Sequence, residues 1–150
     1  MLEVGKKAPD FTLLDENRET VKLSHFKGKR VIVFFYPKAM TSGCTREACD
    51  FRDEVDAFKR KNAVVLGISK DSPEAQRKFK DKYQLPFPLL SDENREVLKS
   101  WGAWGEKNMY GKKVEGTIRT TVLISPDGKV EAIFPKVKVD GHVADVLDAL

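Results

Sequence analysis

A chain of 150 residues with 41% hydrophobic content is long enough to bury one continuous core, and no change in composition marks a second unit, so residues 1–150 are expected to form one domain. The net charge of +4 comes from 27 lysines and arginines interspersed with 23 acidic residues, a mixed surface rather than the basic block that nucleic acid binding requires. The longest apolar run is far shorter than a membrane span, no basic-then-apolar leader opens the chain, and two cysteines are too few for a disulfide scaffold; the expectation is a soluble, cytoplasmic protein without a membrane partner.

Residues 11–14 and 20–23 flank the polar Asp15-Glu16-Asn17-Arg18 and predict a small N-terminal hairpin. Residues 30–36 form an almost unbroken β-branched and aromatic run, the pattern of a central strand covered on both faces. From Cys44 the period changes: Cys44, Ala48, Phe51, Val55 and Phe58 recur at alternating steps of four and three, one helical stripe. Residues 64–69 predict a second buried strand, and Ser72-Pro73-Glu74 opens a helix to Tyr83 with serine as N-cap and proline in the first turn. Leu89 and Leu90 suggest a short strand and residues 93–101 a helix, followed by a loop holding Trp104, Tyr110 and Gly111. Phe79, Tyr83, Leu85 and Phe87 read as core, Trp101, Trp104 and Tyr110 as core or loop packing residues with lining of a mouth for organic peroxides as the alternative, and His25 and His142 as surface or capping residues. Residues 120–125 and 129–134 predict strands around the turn Pro126-Asp127-Gly128, and residues 141–150 carry Val143, Val146, Leu147 and Leu150 at helical spacing. This order predicts an α/β sandwich, a central mixed sheet flanked by helices; it is the order expected of a thioredoxin-like fold with an insertion and an N-terminal hairpin extension.

Both cysteines fall in one run, from Pro37 to Cys49, where the first long strand turns into a helix. Thr41 or Ser42 can cap that helix, which puts Cys44 in its first turn, among unpaired N–H groups and the positive end of the helix dipole, both of which favour a thiolate. The thiolate requires a cation beside it, and Lys38, Arg46 and the distant Arg119 all qualify. Cys49 lies five residues on, so in a regular helix the two Cα atoms are roughly 8.7 Å apart. A disulfide needs Cα atoms within about 7 Å, and joining the two sulfurs therefore requires the helix to unwind. Zinc fits poorly, because two cysteines and the distant His25 and His142 do not make a compact tetrahedral set. Two inert buried thiols would need no cap and no uneven exposure.

The pattern Pro-x-x-x-Thr-x-x-Cys, filled by Pro37, Thr41 and Cys44, resembles the peroxiredoxin active-site motif. The strings Phe35-Tyr36-Pro37-Lys38-Ala39 and Gly43-Cys44-Thr45-Arg46-Glu47-Ala48-Cys49 are similar to the Q-type, or bacterioferritin comigratory protein, subgroup. The likeness runs from Gly5-Lys6-Lys7-Ala8-Pro9-Asp10-Phe11 to Ile118-Arg119-Thr120-Thr121-Val122-Leu123-Ile124. Met40 and Ser42 depart from it, standing where the subgroup usually has an acidic or amide residue and a proline. The resemblance implies a thiol-dependent peroxidase without metal or other cofactor. In it Cys44 attacks a hydroperoxide, Cys49 resolves the product within the same chain, and thioredoxin or a similar dithiol restores both. It further implies that Thr41 and Arg119 hold the peroxide, that Pro37 shields the sulfur and that Glu47 orients Arg119 from behind. Resolution within one chain makes a monomer sufficient. Lowering a thiol's pKa from about 8.5 to about 6 raises its thiolate fraction at pH 7 about 30-fold, while its nucleophilicity falls about 13-fold. Most of the acceleration must therefore come from stabilising the departing oxygen, the task assigned to Arg119, Thr41 and the first-turn N–H groups. The rival readings are a protein thiol-disulfide oxidoreductase, against which the five-residue spacing argues, and a non-catalytic redox sensor, which has no need of Arg119.

Overall fold

The computed structural model describes residues 2–150, apart from the side chain of Met109. The strands β1 (Thr12–Leu14) and β2 (Thr20–Lys22) pair antiparallel, and a 3-10 turn at Leu23–Phe26 leads into β3 (Arg30–Phe35). Helices α1 (Ser42–Asp53) and α2 (Val55–Arg60), strand β4 (Ala63–Ser69), helix α3 (Pro73–Tyr83), strand β5 (Leu89–Ser91) and helix α4 (Glu96–Ser100) follow. The chain then forms β6 (Trp104–Met109), β7 (Lys112–Thr117), β8 (Thr120–Ile124), β9 (Val130–Phe134) and α5 (His142–Asp148). Seven strands make one mixed sheet in the order β2-β1-β5-β4-β3-β8-β9, with β3 parallel to β4 and antiparallel to β8. No helix among the described residues is long and apolar enough to cross a membrane.

Strand β3 explains its own composition. Ile32 and Phe34 face a core built with Cys44, Ala48 and Phe51 of α1, Phe58 of α2, Phe79 of α3 and Val143 and Val146 of α5. Val31, Val33 and Phe35 face a second core with Phe11, Leu23, Leu66, Ile68, Val97, Leu98 and Trp101. A strand buried on both faces has no use for alternation, hence the continuous apolar run. Gly67 of β4 has no room for a side chain against the first core: a Cβ there would lie 2.9 Å from Leu89 Cδ2 and 3.0 Å from Phe34 Cζ.

Three expectations need correction. The stripe from Cys44 to Phe58 is two helices, broken at Glu54, whose backbone leaves helical geometry at φ −105° and ψ 9°. Asp53 and Glu54 put negative charge at the end of α1, where the helix dipole disfavours it, while Phe51 and Phe58 still share the core. The stretch assigned to a loop is a two-stranded ribbon, β6 with β7, in which Tyr110 is fully exposed rather than packed and turns the chain together with Gly111, both at positive φ. That is the geometry of a two-residue hairpin turn, made by an unusual residue pair. The N-terminal hairpin forms as expected and extends the sheet, Leu14 pairing with Ser91 of β5. His142 is buried rather than exposed: its Nε2 meets Thr121 Oγ1 at 2.7 Å, and its ring packs edge-on against Phe51 and Phe134. Burial holds its pKa below the ordinary value; Asp145 opposes the shift and Arg119 adds to it.

Candidate active site

Thr41 occupies the N-cap position of α1, in extended geometry, and its carbonyl accepts the first helical bond from Thr45 N–H at 2.8 Å. Its hydroxyl does not cap. It donates instead to the Lys38 carbonyl at 2.7 Å, closing the short loop before the helix. Cys44 is therefore the third residue of α1, in the first turn, where N–H groups lack intrahelical acceptors. Cys44 is 1% exposed, while Cys49, further along the same helix, is half-buried; both are free thiols.

Of the three candidate cations, the structure brings Arg119 to the sulfur. Its Nη2 donates to Cys44 Sγ at 3.3 Å, and its Nη1 donates to Glu47 Oε1 at 2.7 Å. Arg46 instead pairs with Asp140, and Lys38 stays exposed. The sheet explains a contact across 75 residues: antiparallel pairing of β3 with β8 sets Thr120 opposite Phe35, so Arg119 emerges beside Tyr36 and Pro37, where the active loop begins. Gly43 makes room for the guanidinium, since a Cβ there would stand 3.3 Å from Nη2.

Glu47 is fully buried, and its second oxygen has no hydrogen-bond partner among the described residues. Burial pushes its carboxyl up to about 7 against the pull of Arg119. Arg119 loses some of its proton affinity to burial and more than regains it from Glu47 and Cys44, so its pKa lies above the usual value. The Cys49 thiol is held up by burial, an effect that Arg52 weakens and Asp53 and Asp50 strengthen. The two sulfurs thus sit in unlike surroundings, one under a guanidinium at a helix start and one beside two carboxylates.

A network absent from the sequence reading anchors the loop. Tyr36 donates through its hydroxyl to Gln76 Oε1 at 2.5 Å, and Gln76 Nε2 donates to Ser69 Oγ and to the Leu90 carbonyl, both at 2.9 Å. Ser69 Oγ donates to Asp71 Oδ2 at 2.7 Å, and the same carboxylate oxygen accepts from Ala39 N–H at 2.8 Å. Met40 next to it adopts φ +71°, a left-handed conformation that costs a residue with a Cβ about 1 kcal/mol or more. Pro37 lines a cavity of about 560 Å³ with Lys107, Ile118, Arg119, Lys136 and Val137, which opens onto the guanidinium. Another cavity, of about 450 Å³, lined by Leu23, Phe26, Val31 and Ile124, lies at the far end of β3, and neither cysteine lines it. No cluster of potential metal ligands occurs among the described residues.

Fold and site together define a thiol-based redox protein on a thioredoxin-like sheet. Residues 4–133 match the AhpC/TSA family. Peroxiredoxin Bcp of Bacillus subtilis is 46% identical over 149 residues, covering 99% of this chain and 95% of the relative, and Peroxiredoxin Bcp of Escherichia coli K12 is 47% identical with 99% and 96% covered. The solved Xanthomonas campestris bacterioferritin comigratory protein superposes with a TM-score of 0.91 at 37% identity, covering 99% of this chain and 95% of its own. Peroxidoxin BcpB from Mycobacterium tuberculosis gives 0.88 at 34%, with 99% and 96% covered. The chain belongs to the AhpC/TSA family, within the Q-type, bacterioferritin comigratory protein group of peroxiredoxins.

Proposed function

We propose that this peroxiredoxin reduces hydrogen peroxide and organic hydroperoxides through Cys44. The observation that carries the reading is the guanidinium of Arg119, donating to a buried first-turn sulfur at 3.3 Å while braced from behind by Glu47. The thiolate attacks one peroxide oxygen, the O–O bond breaks, and the second oxygen leaves with the electron pair, taking a proton to become water or an alcohol. Sulfur is oxidised by two electrons to sulfenic acid as the peroxide is reduced. Arg119 and the first-turn N–H groups stabilise the leaving oxygen, the Thr41 hydroxyl, whose own proton goes to the Lys38 carbonyl, holds the peroxide by accepting its O–H, and Pro37 screens the sulfur. The cavity beside Arg119 supports access for more than hydrogen peroxide, and alkyl peroxide reduction is the activity named for the Xanthomonas campestris protein.

Resolution follows when Cys49 attacks the sulfenic acid, forming the disulfide and releasing water. Both residues lie in α1, so at least one turn must unwind first. The strained Met40 and a hydroxyl at position 42 in place of proline favour a start that gives way. An external dithiol, thioredoxin or a similar protein in the cytoplasm, returns both thiols, and a monomer suffices for the cycle. The test compares peroxide consumption with insulin reduction, using a dithiol donor, in the native protein and in Cys44→Ser. Peroxide turnover by the native protein alone, with negligible insulin reduction, supports the reading; insulin reduction without peroxide turnover would replace it by a protein thiol-disulfide oxidoreductase.

A further inference from the structure

The β6–β7 ribbon carries a lysine whose placement the site as described leaves unexplained. Lys107 pairs across the ribbon with Val114 and folds its stem over Gly116, where a Cβ would lie 2.9 Å from its Cε. Its Nζ donates to the Thr117 carbonyl at 2.8 Å. This ammonium is half-buried, yet among the described residues it makes no ion pair. Arg119, which reaches Cys44 Sγ at 3.3 Å, lines the same cavity as Lys107, and Lys70 lies over the Trp104 ring of the ribbon at 5.7 Å. Burial, Lys70 and Arg119 draw its pKa below the ordinary value, and Cys44 opposes them. Glu106 and Lys136 line the same cavity without pairing with it. Withdrawing a cation from water beside like charges is costly, and such arrangements concentrate where a site needs the charge.

The hydrogen bond has a structural consequence. Thr117 is two residues before Arg119, and the short link from β7 to β8 is fixed at Ile118 N–H, which donates to the Ala103 carbonyl at 2.8 Å. Beyond it, the Arg119 carbonyl accepts from Val137 N–H at 2.8 Å. Lys107 supplies a side-chain tie in this segment, on the side that faces the cavity. A glycine at 116 is what lets the stem lie flat enough to reach it.

We propose that Lys107 is a positioning residue of the Cys44 site, anchoring the segment that delivers Arg119 and presenting a second positive charge to the thiolate. This rests on Cys44 being the reacting thiol, and it assigns the ribbon a part in the chemistry rather than in packing alone. The charge favours ionised sulfur before peroxide arrives and steadies the departing oxygen afterwards.

The test measures alkylation of Cys44 by iodoacetamide against pH in the Cys49→Ser protein, where it is the one remaining thiol, with and without Lys107→Met, Lys107→Arg and Lys107→Gln. Methionine keeps the apolar stem and removes the charge. It should raise the pH midpoint by about half a unit to one unit, which slows alkylation below the midpoint about threefold to tenfold. Arginine should restore the native midpoint. Glutamine, which can still donate to the Thr117 carbonyl, should shift like methionine and gives the same reading if the methionine variant fails to fold. A neutral variant that titrates like the native protein, or an arginine variant that shifts as far as methionine, would overturn the proposal. The readout requires no peroxide, so a protein that alkylates as expected but consumes none would sink the peroxidase reading and leave this one standing.

Discussion

Glu47→Gln tests the buried pair behind the active sulfur. The carboxyl has an ordinary value of 4.5 and is pushed up to about 7 in the folded protein, mainly by burial. Between those values the folded state binds more protons than the unfolded one, so this group's contribution to stability is complete below pH 4.5 and is lost as pH rises through 7. At 1.36 kcal/mol per pH unit, the whole loss is about 3 kcal/mol, of which about 2 to 3 falls between pH 5 and pH 8. Glutamine can still accept from Arg119 Nη1 but does not titrate, and any cost of its extra donor beside the unpartnered position is independent of pH. Urea unfolding at pH 5 and pH 8 should be compared for Cys44→Ser and Cys44→Ser/Glu47→Gln, a background in which Arg119 no longer donates to a sulfur. The stability difference should move by about 2 to 3 kcal/mol in favour of the glutamine variant on going to pH 8. A difference that is constant across this range would mean that Glu47 is an ordinary ionised partner of Arg119 in the folded protein.

Arg119→Met removes the donor to sulfur and should slow sulfenic acid formation about 10²- to 10³-fold in stopped-flow measurements, with the far-ultraviolet circular dichroism retained. Asp71→Ala takes the acceptor from Ala39 N–H and Ser69 Oγ; it should cost about 2 kcal/mol in denaturant unfolding and slow the peroxide step by loosening the loop. Gly67→Ala drives a methyl group against Leu89, Phe34 and Tyr36 and should cost about 1–3 kcal/mol by the same assay.

Elements with strong local signals were legible in the chain. The apolar run of β3, the Ser72-Pro73 start of α3 and the Pro126-Asp127-Gly128 turn each carry their cause within a few residues, and Ser72 Oγ accepts from Ala75 N–H as an N-cap should. The β6–β7 ribbon was not legible, because Lys, Glu and Asn occupy positions on both of its faces and Tyr110-Gly111 is a rare choice for its turn. The break at Glu54 was hidden because Phe51 and Phe58 keep helical spacing across it and still share one core. In the site, the first-turn position of Cys44 and its helix shared with Cys49 followed from pattern alone. Choosing Arg119 over Lys38 and Arg46 required the resemblance, since β3–β8 pairing, not local sequence, brings it close. Thr41 stood out as a cap, but its one proton goes to the Lys38 carbonyl, three residues back. Asp71 and Gly43 matter only through partners far along the chain, and no local signal marks them.

One sulfur reacts under Arg119, and the second reaches it only when α1 opens. Intact-mass spectrometry after one equivalent of hydrogen peroxide reads both events at once. The native protein should lose two hydrogens within a single chain and Cys49→Ser should gain one oxygen, while Cys44→Ser keeps its mass. Oxidation of Cys44→Ser at the native rate, or native product appearing only as a disulfide between two chains, would contradict this order of events.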